Sequence, residues 1–228
     1  MRDTPLALML FAAGHGTRMR PLTNSRPKPL IEVAGRPLIA HALDQTRDLA
    51  LPRTVANAHY LGDQIAAHFA GTPVQVSPEA ALLDTGGGLR HALPLLGEGP
   101  VFTLNTDAVW KGPAALSLLA RHWDPARMDA LLLGIPPANA IGHAGQGDFT
   151  PDAEGRITRG PGLIYSGAQI TTTQDLAAIP ETAFSLNAVW DRMIARGRLF
   201  ILPYPGLWCD VGRPEAISLA EEMLSADV

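Results

Sequence analysis

Cysteine is nearly absent from the sequence, which excludes the disulfide-stabilised proteins and cysteine-rich metal sites. Among the 228 residues only Cys209 carries a thiol, so an internal disulfide is excluded and a reducing, cytoplasmic setting is expected. No Cys/His spacing resembles a zinc site. The apolar run Leu6–Ala13 is too short to cross a bilayer and shows no cleavage-site pattern, so neither membrane association nor a signal peptide is expected.

The sequence also lacks a concentration of basic residues. Lys and Arg total 18 against 22 Asp and Glu, the net charge is −4, and the cations are scattered. A nucleic-acid surface needs a concentrated basic face, so no nucleic-acid partner is expected. A small anionic ligand stays possible, because a few cations and backbone amides suffice to bind it. With 46% hydrophobic and 18% charged residues, the chain has the composition of a well-buried globular protein.

Strand and helix patterns alternate through the first half of the chain. Buried or alternating apolar runs predict strands, and apolar spacing of three to four residues predicts helices. The predicted strands are Leu6–Ala13, Arg53–Ala58, Val74–Ser77, Val101–Asn105 and Ala130–Gly134, and the predicted helices are Pro37–Ala50, Leu61–Phe69, Gly86–Leu96 and Ala114–His122. We expect Pro94 to end the third of these helices early. The pattern predicts an α/β fold, Rossmann-like and doubly wound, with a mostly parallel sheet whose ligands bind outside the carboxyl ends of the strands.

The alternation breaks down between Pro136 and Thr172, where Gly, Pro, Asp and Thr punctuate short pieces such as Leu163–Tyr165 and Ala168–Thr171. We interpret this region as a small β lobe inserted into the main sheet. A helix (Leu186–Arg196), a strand (Leu199–Leu202) and a closing helix (Pro214–Leu224) are predicted after it. The length favours a single domain over residues 1–228.

A glycine-rich loop, Gly14–Thr23, follows the first predicted strand directly. Gly14 and Gly16 would let the backbone approach a phosphate, and Arg18 and Lys28 could neutralise its charge. Met19 stands where a dinucleotide-binding fingerprint needs a glycine, and no lysine follows the glycines as in a P-loop. The two glycines alone would also fit an ordinary loop. The prolines on either side of Lys28 stiffen its backbone, which suits a side chain that must hold one position.

The stretch from Leu10 to Met19, together with Pro27-Lys28-Pro29-Leu30, closely resembles the signature of the sugar-1-phosphate nucleotidylyltransferases. The resemblance extends over nearly the whole chain. It implies that a nucleoside triphosphate and a sugar 1-phosphate are the ligands. It also implies that residues 1–135 form the nucleotide-binding half, residues 136–212 the sugar-binding half and residues 213–228 a closing helix. The implied nucleotide contacts are Ala12, Ala13, Gly14, Gly16 and Thr17, with Arg18 and Lys28 as catalytic residues facing the phosphates.

A second match covers Ser77-Pro78-Glu79 and the turn Asp84-Thr85-Gly86-Gly87-Gly88. The resemblance implies that Glu79 contacts the edge of the base and that Gly86 and Gly87 let the backbone approach the nucleotide. Taken alone, these glycines also fit a turn that opens a helix.

Two carboxylates match the metal site of the family. Asp107 follows the Val101–Asn105 strand, and Asp210 lies in the segment Trp208–Gly212. The resemblance implies that both bind Mg²⁺, which prefers hard oxygen ligands. Thr106 replaces the glycine that commonly precedes the first of them. Cys209 should point away from Asp210 on a strand and lie in the core.

The sugar contacts are implied at Asn105, Asp148, Ser166 and Gly167, although Asp148 fits an exposed loop equally well. The usual Glu-Lys-Pro element is not visible, which indicates an unusual sugar. The Gly-Asp-Phe and Ser-Gly pair, the Thr-Gly-Gly-Gly turn and the short length together look most like the N-acetylmuramate 1-phosphate uridylyltransferases of cell-wall sugar recycling. We expect no C-terminal β-helix after Leu224, and a monomer is plausible.

The resemblance implies an in-line displacement that releases pyrophosphate. UTP and N-acetylmuramic acid 1-phosphate are the favoured pair. The alternatives are a mannose-1-phosphate guanylyltransferase, a choline-phosphate cytidylyltransferase and a non-catalytic nucleotide-sensing subunit of the same fold. The last would be expected to have a damaged metal site, whereas Lys28, Asp107 and Asp210 are all present.

Overall fold

A mixed β-sheet forms the centre of the computed structural model, which describes residues 5–226. The strands are β1 (Ala7–Phe11), β2 (Glu32–Val33), β3 (Arg36–Pro37), β4 (Arg53–Ala58), β5 (Gln75–Pro78), β6 (Val101–Asn105), β7 (Ala108–Lys111), β8 (Ala130–Ile135), β9 (Ala140–Ile141), β10 (Phe149–Pro151), β11 (Ile157–Arg159), β12 (Ile164–Thr171), β13 (Leu199–Pro203) and β14 (Leu207–Asp210). The α-helices are α1 (Leu38–Leu43), α2 (Gly62–Phe69), α3 (Asp84–Leu96), α4 (Ala115–His122), α5 (Leu186–Ala195) and α6 (Glu215–Ser225).

Within the described residues, the main sheet has seven strands in the order β13-β8-β12-β6-β1-β4-β5. β12 runs antiparallel to β6 and β8, and the other neighbouring pairs are parallel. Strands β1, β6 and β8 are buried on both faces, as their apolar sequences require. The predicted α/β class with a mostly parallel sheet is confirmed.

Two predicted helices differ in extent from those of the structure. α1 ends at Leu43 and continues only as a 3₁₀ turn, Asp44–Thr46. α3 begins at Asp84 and runs past Pro94 to Leu96, so the expected early end was wrong. Pro94 lies in the last turn, where the ring removes one hydrogen bond, and the amide of Gly97 still closes the helix on Leu93 O.

The region read as an inserted lobe supplies a strand to the main sheet. Leu163–Tyr165 and Ala168–Thr171, predicted as separate pieces, belong largely to β12, whose register shifts between Tyr165 and Gln169. A bulge hides such a strand from pattern reading because the alternation changes phase. Short strands β10 and β11 pair outside the main sheet. The division into nucleotide and sugar halves stays a prediction.

A small second sheet, β7-β14-β9, was not predicted. β14 pairs antiparallel with β7, so Asp210 lies opposite Ala108. The amide of Val211 donates to Asp107 O at 2.8 Å. Cys209 is fully buried on β14, as predicted. No helix within residues 5–226 is long and apolar enough to cross a membrane.

Candidate active site

A cavity of about 430 Å³ opens at the carboxyl ends of β1, β4 and β6. Parallel strands end there, and the following loops leave the sheet in different directions, which creates a crevice. Its walls are Phe11, Ala12, Ala13, Gly14, Gly16, Thr17, Arg18, Lys28, Pro29, Asn57, Leu82, Asp84, Thr85, Asn105, Thr106, Asp107 and Gly212. The structure therefore brings together all the predicted residues of the glycine loop, both predicted catalytic cations, and Asp107.

The glycine loop is held from two sides. The amide of Ala12 donates to Asn57 Oδ1 at 2.7 Å, and Thr23 Oγ1 donates to Gly16 O at 2.9 Å. Gly16 has φ +60°, and a Cβ there would lie 3.0 Å from Lys28 Cβ and from Thr23 Cγ2. A glycine is needed at this position because the backbone is left-handed and the loop passes close to Lys28.

Lys28 lies beneath the loop and forms an ion pair with Asp107. Its Nζ donates to Asp107 Oδ2 at 2.8 Å, and the residue is only 9% exposed. Lys28 lies between the two prolines noted in the sequence and begins a 3₁₀ turn, Lys28–Leu30. The ion pair with Asp107 and the rigid backbone of the turn hold the ammonium group of Lys28 at the cavity wall.

Asp210 lies close to the same charges. Burial raises the pKa of its carboxyl, the nearby Asp107 raises it further, and Lys28 and Arg18 oppose the shift. A Cβ on Gly212 would lie 3.0 Å from Asp210 Oδ2 and 3.4 Å from Arg18 Nη1. The two predicted metal ligands, 103 positions apart in the chain, are thus close enough to interact electrostatically. Asp107 and Gly212 line the cavity, whereas Asp210 itself is not among its walls.

The two carboxylates fit a magnesium ion that is coordinated by both protein and phosphate oxygens. Asp107 and Asp210 offer hard carboxylate oxygens, whose mutual repulsion a divalent cation would relieve. Residues 5–226 contain no group of three or more His, Cys, Asp or Glu side chains that could hold a metal. Two carboxylates suffice for Mg²⁺, since it commonly keeps waters and binds substrate phosphates as well.

Thr106 has a structural role where it replaces the glycine expected from the resemblance. Its hydroxyl donates to Phe11 O at 2.7 Å, and the residue is buried. The bond joins the ends of the neighbouring strands β1 and β6, which carry the glycine loop and Asp107. The departure from the pattern therefore leaves the predicted metal ligand in place.

Glu79, the predicted base contact, does not line the cavity. It is 5% exposed, and its carboxylate accepts from Asn57 Nδ2 at 2.7 Å and from the amide of Leu83 at 3.1 Å. Asn57 lies between Glu79 and the amide of Ala12 and does line the cavity. The sequence offered one clue to Asn57, which is a polar residue near the carboxyl end of a predicted strand, and the last four residues of that strand are buried.

Gly86 and Gly87 also lie behind the cavity wall. Their amides donate to Phe184 O, and a Cβ on Gly86 would lie 2.4 Å from Phe184 Cε2. A Cβ on Gly87 would lie 2.5 Å from Thr182 O. These glycines let α3 approach the 182–184 segment. The preceding residues, Asp84 and Thr85, are the ones that face the cavity.

A second cavity of about 280 Å³ adjoins the first and shares Phe11, Asp84, Thr85 and Asn105 with it. Its other walls are Asp148, Phe149, Arg159, Tyr165, Ser185, Leu186, Asn187 and Trp190. The structure thus brings together two of the predicted sugar contacts, Asn105 and Asp148. Burial raises the pKa of the Tyr165 hydroxyl well above its ordinary range. Sequence reasoning assigned no role to Arg159, Asn187 or Trp190.

The other two predicted sugar contacts, Ser166 and Gly167, do not line either cavity. Ser166 is 2% exposed, and its Oγ accepts from the amide of Ala168 at 3.2 Å. Gly167 has φ +87°, and a Cβ there would lie 2.7 Å from Asn105 Cβ. The pair forms the bulge of β12 and lets that strand pass Asn105 closely.

The loop, the cations and the paired carboxylates suit a polyphosphate ligand and place the chain among the nucleotide-binding α/β proteins. A family model for the MobA-like NTP transferase domain matches residues 8–138, more than half of the chain. The chain belongs to this family.

Relatives match along the full length. An N-acetylmuramate alpha-1-phosphate uridylyltransferase of Caulobacter vibrioides is 40% identical, over 99% of this chain and 99% of that protein. A protein of the same name from Neisseria meningitidis is 33% identical, over 96% of this chain and 98% of its own. Proteins named as probable mannose-1-phosphate guanylyltransferases are more distant, at 26% identity.

The fold agrees with a solved structure of low sequence similarity. The crystal structure of HddC from Yersinia pseudotuberculosis aligns with a TM-score of 0.78 at 19% identity, over 96% of this chain and 100% of that one. At this identity the match supports the fold alone.

Proposed function

We propose that this chain transfers UMP from UTP to N-acetylmuramic acid 1-phosphate and releases pyrophosphate, in cell-wall sugar recycling. The full-length relatives named for this reaction support the substrate pair. The observation that carries the reaction class is the pairing of Lys28 with Asp107 beside Asp210, at a cavity continuous with a second one.

The chemistry needs charge stabilisation rather than a general base. An oxygen of the sugar phosphate, already anionic at neutral pH, attacks the α-phosphorus of UTP. The new P–O bond forms as the bond to the bridging oxygen of the β-phosphate breaks, and that oxygen leaves with pyrophosphate. Two polyanions must approach each other, so Arg18 and Lys28 offset their charge during the transfer.

Asp107 and Asp210 would hold Mg²⁺, which would neutralise phosphate charge when bound. The backbone of the glycine loop, from Ala12 to Thr17, would hold the triphosphate. Asn57 would fix that loop through the amide of Ala12. Glu79 would act through Asn57 rather than on the base itself, because its carboxylate bonds within the protein.

The sugar would occupy the second cavity, with Asn105 and Asp148 facing it. Ser166 and Gly167 would shape its wall through the bulge of β12. Residues 1–135 would thus bind mainly the nucleotide and residues 136–212 mainly the sugar, in one domain. We place the reaction in the cytoplasm, where a free buried cysteine such as Cys209 is stable.

The test is pyrophosphate release by the purified chain with Mg²⁺, crossing UTP, GTP and CTP with a panel of phosphate acceptors. Release with UTP and N-acetylmuramic acid 1-phosphate would support the proposal. Release only with GTP and mannose 1-phosphate, or only with CTP and choline phosphate, would replace the substrate pair. Nucleotide binding without release for any pair would instead indicate a sensing subunit.

A further inference from the structure

The second cavity contains an arginine that the proposed phosphate chemistry does not use. Arg159 ends β11 and lines this cavity, away from Arg18 and Lys28. Among the described residues that line this cavity, Arg159 is the only one with a cationic side chain. Arg159 should therefore contact the sugar rather than the phosphates.

The guanidinium of Arg159 is held in one orientation. Nε and Nη2 donate to Asp191 Oδ1 at 2.9 and 2.8 Å, and Nη1 donates to Asn187 Oδ1 at 2.8 Å. The guanidinium carbon, Cζ, lies 5.3 Å from the centre of the Phe149 ring. The second hydrogen on Nη1 makes no hydrogen bond within residues 5–226, so it can donate to an oxygen of a ligand.

The charged residues around the second cavity determine where each chemical group of a ligand would bind favourably. Asp148 Oδ2 accepts from the amide of Tyr165 at 2.8 Å, and Asp84 Oδ1 accepts from the amide of Thr85. Their remaining oxygens can accept from hydroxyl or amide groups of a sugar. A carboxylate would be repelled by both, so its favourable position is at Arg159. The amino-terminal end of α5, at Ser185–Asn187, borders the same side and favours negative charge.

We propose that Arg159 is the specificity-determining residue that binds a carboxylate on the sugar, held ready by Asn187 and Asp191. This inference rests on the proposed function, because N-acetylmuramic acid carries such a group on its 3-O-lactyl ether. N-acetylglucosamine 1-phosphate is the same sugar without that ether. The site thus distinguishes an acidic amino sugar from a neutral one.

The experiment compares Arg159→Gln and Arg159→Lys with the wild type in pyrophosphate release from UTP. The acceptors are N-acetylmuramic acid 1-phosphate, its lactyl carboxamide and N-acetylglucosamine 1-phosphate. Arg156→Gln is the matched control, because its side chain is 45% exposed against 41% for Arg159 and lies over Phe200 instead of Phe149. Arg156 precedes the same strand and does not line the cavity.

Loss of a charge-assisted hydrogen bond should raise the KM for N-acetylmuramic acid 1-phosphate roughly 10- to 100-fold in Arg159→Gln. The KM for UTP and for the two neutral acceptors should stay within about twofold of the wild type, since these ligands lack the group that Arg159 binds. Arg159→Lys should recover part of the loss, because it keeps the charge without the planar fork. Arg156→Gln should behave as the wild type.

Two other results would overturn the inference while leaving the proposed function standing. One is an unchanged KM for the acidic sugar in Arg159→Gln. The other is an equal rise for the acidic and neutral acceptors, which would show a structural role. If the wild type releases no pyrophosphate from UTP with the acidic sugar, the proposed function fails and the inference falls with it.

Discussion

Lys28 Nζ lies 2.8 Å from Asp107 Oδ2, although the two residues are 79 positions apart in the chain. The ion pair joins the turn Lys28–Leu30 to the end of β6. The cation expected to face the phosphates and the carboxylate expected to face the metal therefore hold each other in place.

Lys28→Ala should lower turnover by about 10²–10³ while the fold stays intact, because one preorganised charge on the reacting phosphates is lost. Pyrophosphate release at saturating UTP and acceptor measures the effect. The chain offers a matched control in Lys111, the other of its two lysines. Lys111 Nζ donates to Met223 O on α6, so Lys111→Ala should affect stability rather than turnover. Near-normal turnover in purified Lys28→Ala would contradict the mechanism.

Asp210→Asn should raise the Mg²⁺ concentration for half-maximal activity at least tenfold, because one carboxylate ligand becomes a neutral amide. Without Mg²⁺ its melting temperature should equal or exceed that of the wild type, since a partly buried charge close to Asp107 is removed. A magnesium titration of activity and thermal unfolding in a chelator check the two outcomes. Asp63→Asn, on the exposed side of α2, serves as the control. An unchanged magnesium requirement would remove Asp210 from the metal site.

Gly88→Ala should weaken UTP binding and destabilise the fold by about 1–3 kcal/mol through overpacking. A Cβ there would lie 2.7 Å from Glu79 Oε1 and 2.9 Å from Asn57 Nδ2, which bond each other and are not free to move. Displacing Asn57 would release the amide of Ala12, so we expect the KM for UTP to rise.

The matched control for Gly88→Ala is Gly62→Ala in α2, where the nearest atom to the new Cβ is Ala58 Cβ at 3.4 Å. Urea unfolding and the KM for UTP should show little change in that variant. An unaltered KM in Gly88→Ala would separate Asn57 from nucleotide binding.

Arg196→Gln should cost about 1 kcal/mol of stability at pH 7, a modest value because this guanidinium is 41% exposed. The hydrogen bond from Arg196 is the main cause that lowers the pKa of Asp175, and burial opposes it. A carboxyl whose pKa is lowered in the folded state stabilises the protein above its unfolded pKa, and that contribution is lost as the pH falls through the folded value.

The difference in unfolding free energy between wild type and Arg196→Gln should therefore persist from pH 7 to about pH 5 and shrink near pH 3. Urea titrations at these pH values measure it. Arg26→Gln is the comparison, since its pair with Glu32 is 3.6 Å long and highly exposed. A difference independent of pH would point to lost packing rather than the ion pair.

Most strands of the main sheet, most helices and the glycine loop could be predicted from the sequence because these are local features. Continuous apolar runs predict buried strands such as β1 and β6, and prolines and glycines mark the loops. The bulge at Gly167 hid β12, since a local change of phase breaks the alternation on which strand prediction depends. Arg159 was missed because a single arginine at the end of a short strand carries no local pattern.

The sequence by itself determined which segments are buried and which loop lies at the carboxyl end of the first strand, because side-chain periodicity and backbone freedom are properties of neighbouring residues. Only the tertiary structure decided that Lys28, Asp107 and Asp210 meet, and that Glu79 faces Asn57 instead of the cavity. Those relationships depend on the order of strands in the sheet and on the small sheet of β7 and β14. Local patterns do not encode strand order, since it is set by packing between segments far apart in the chain.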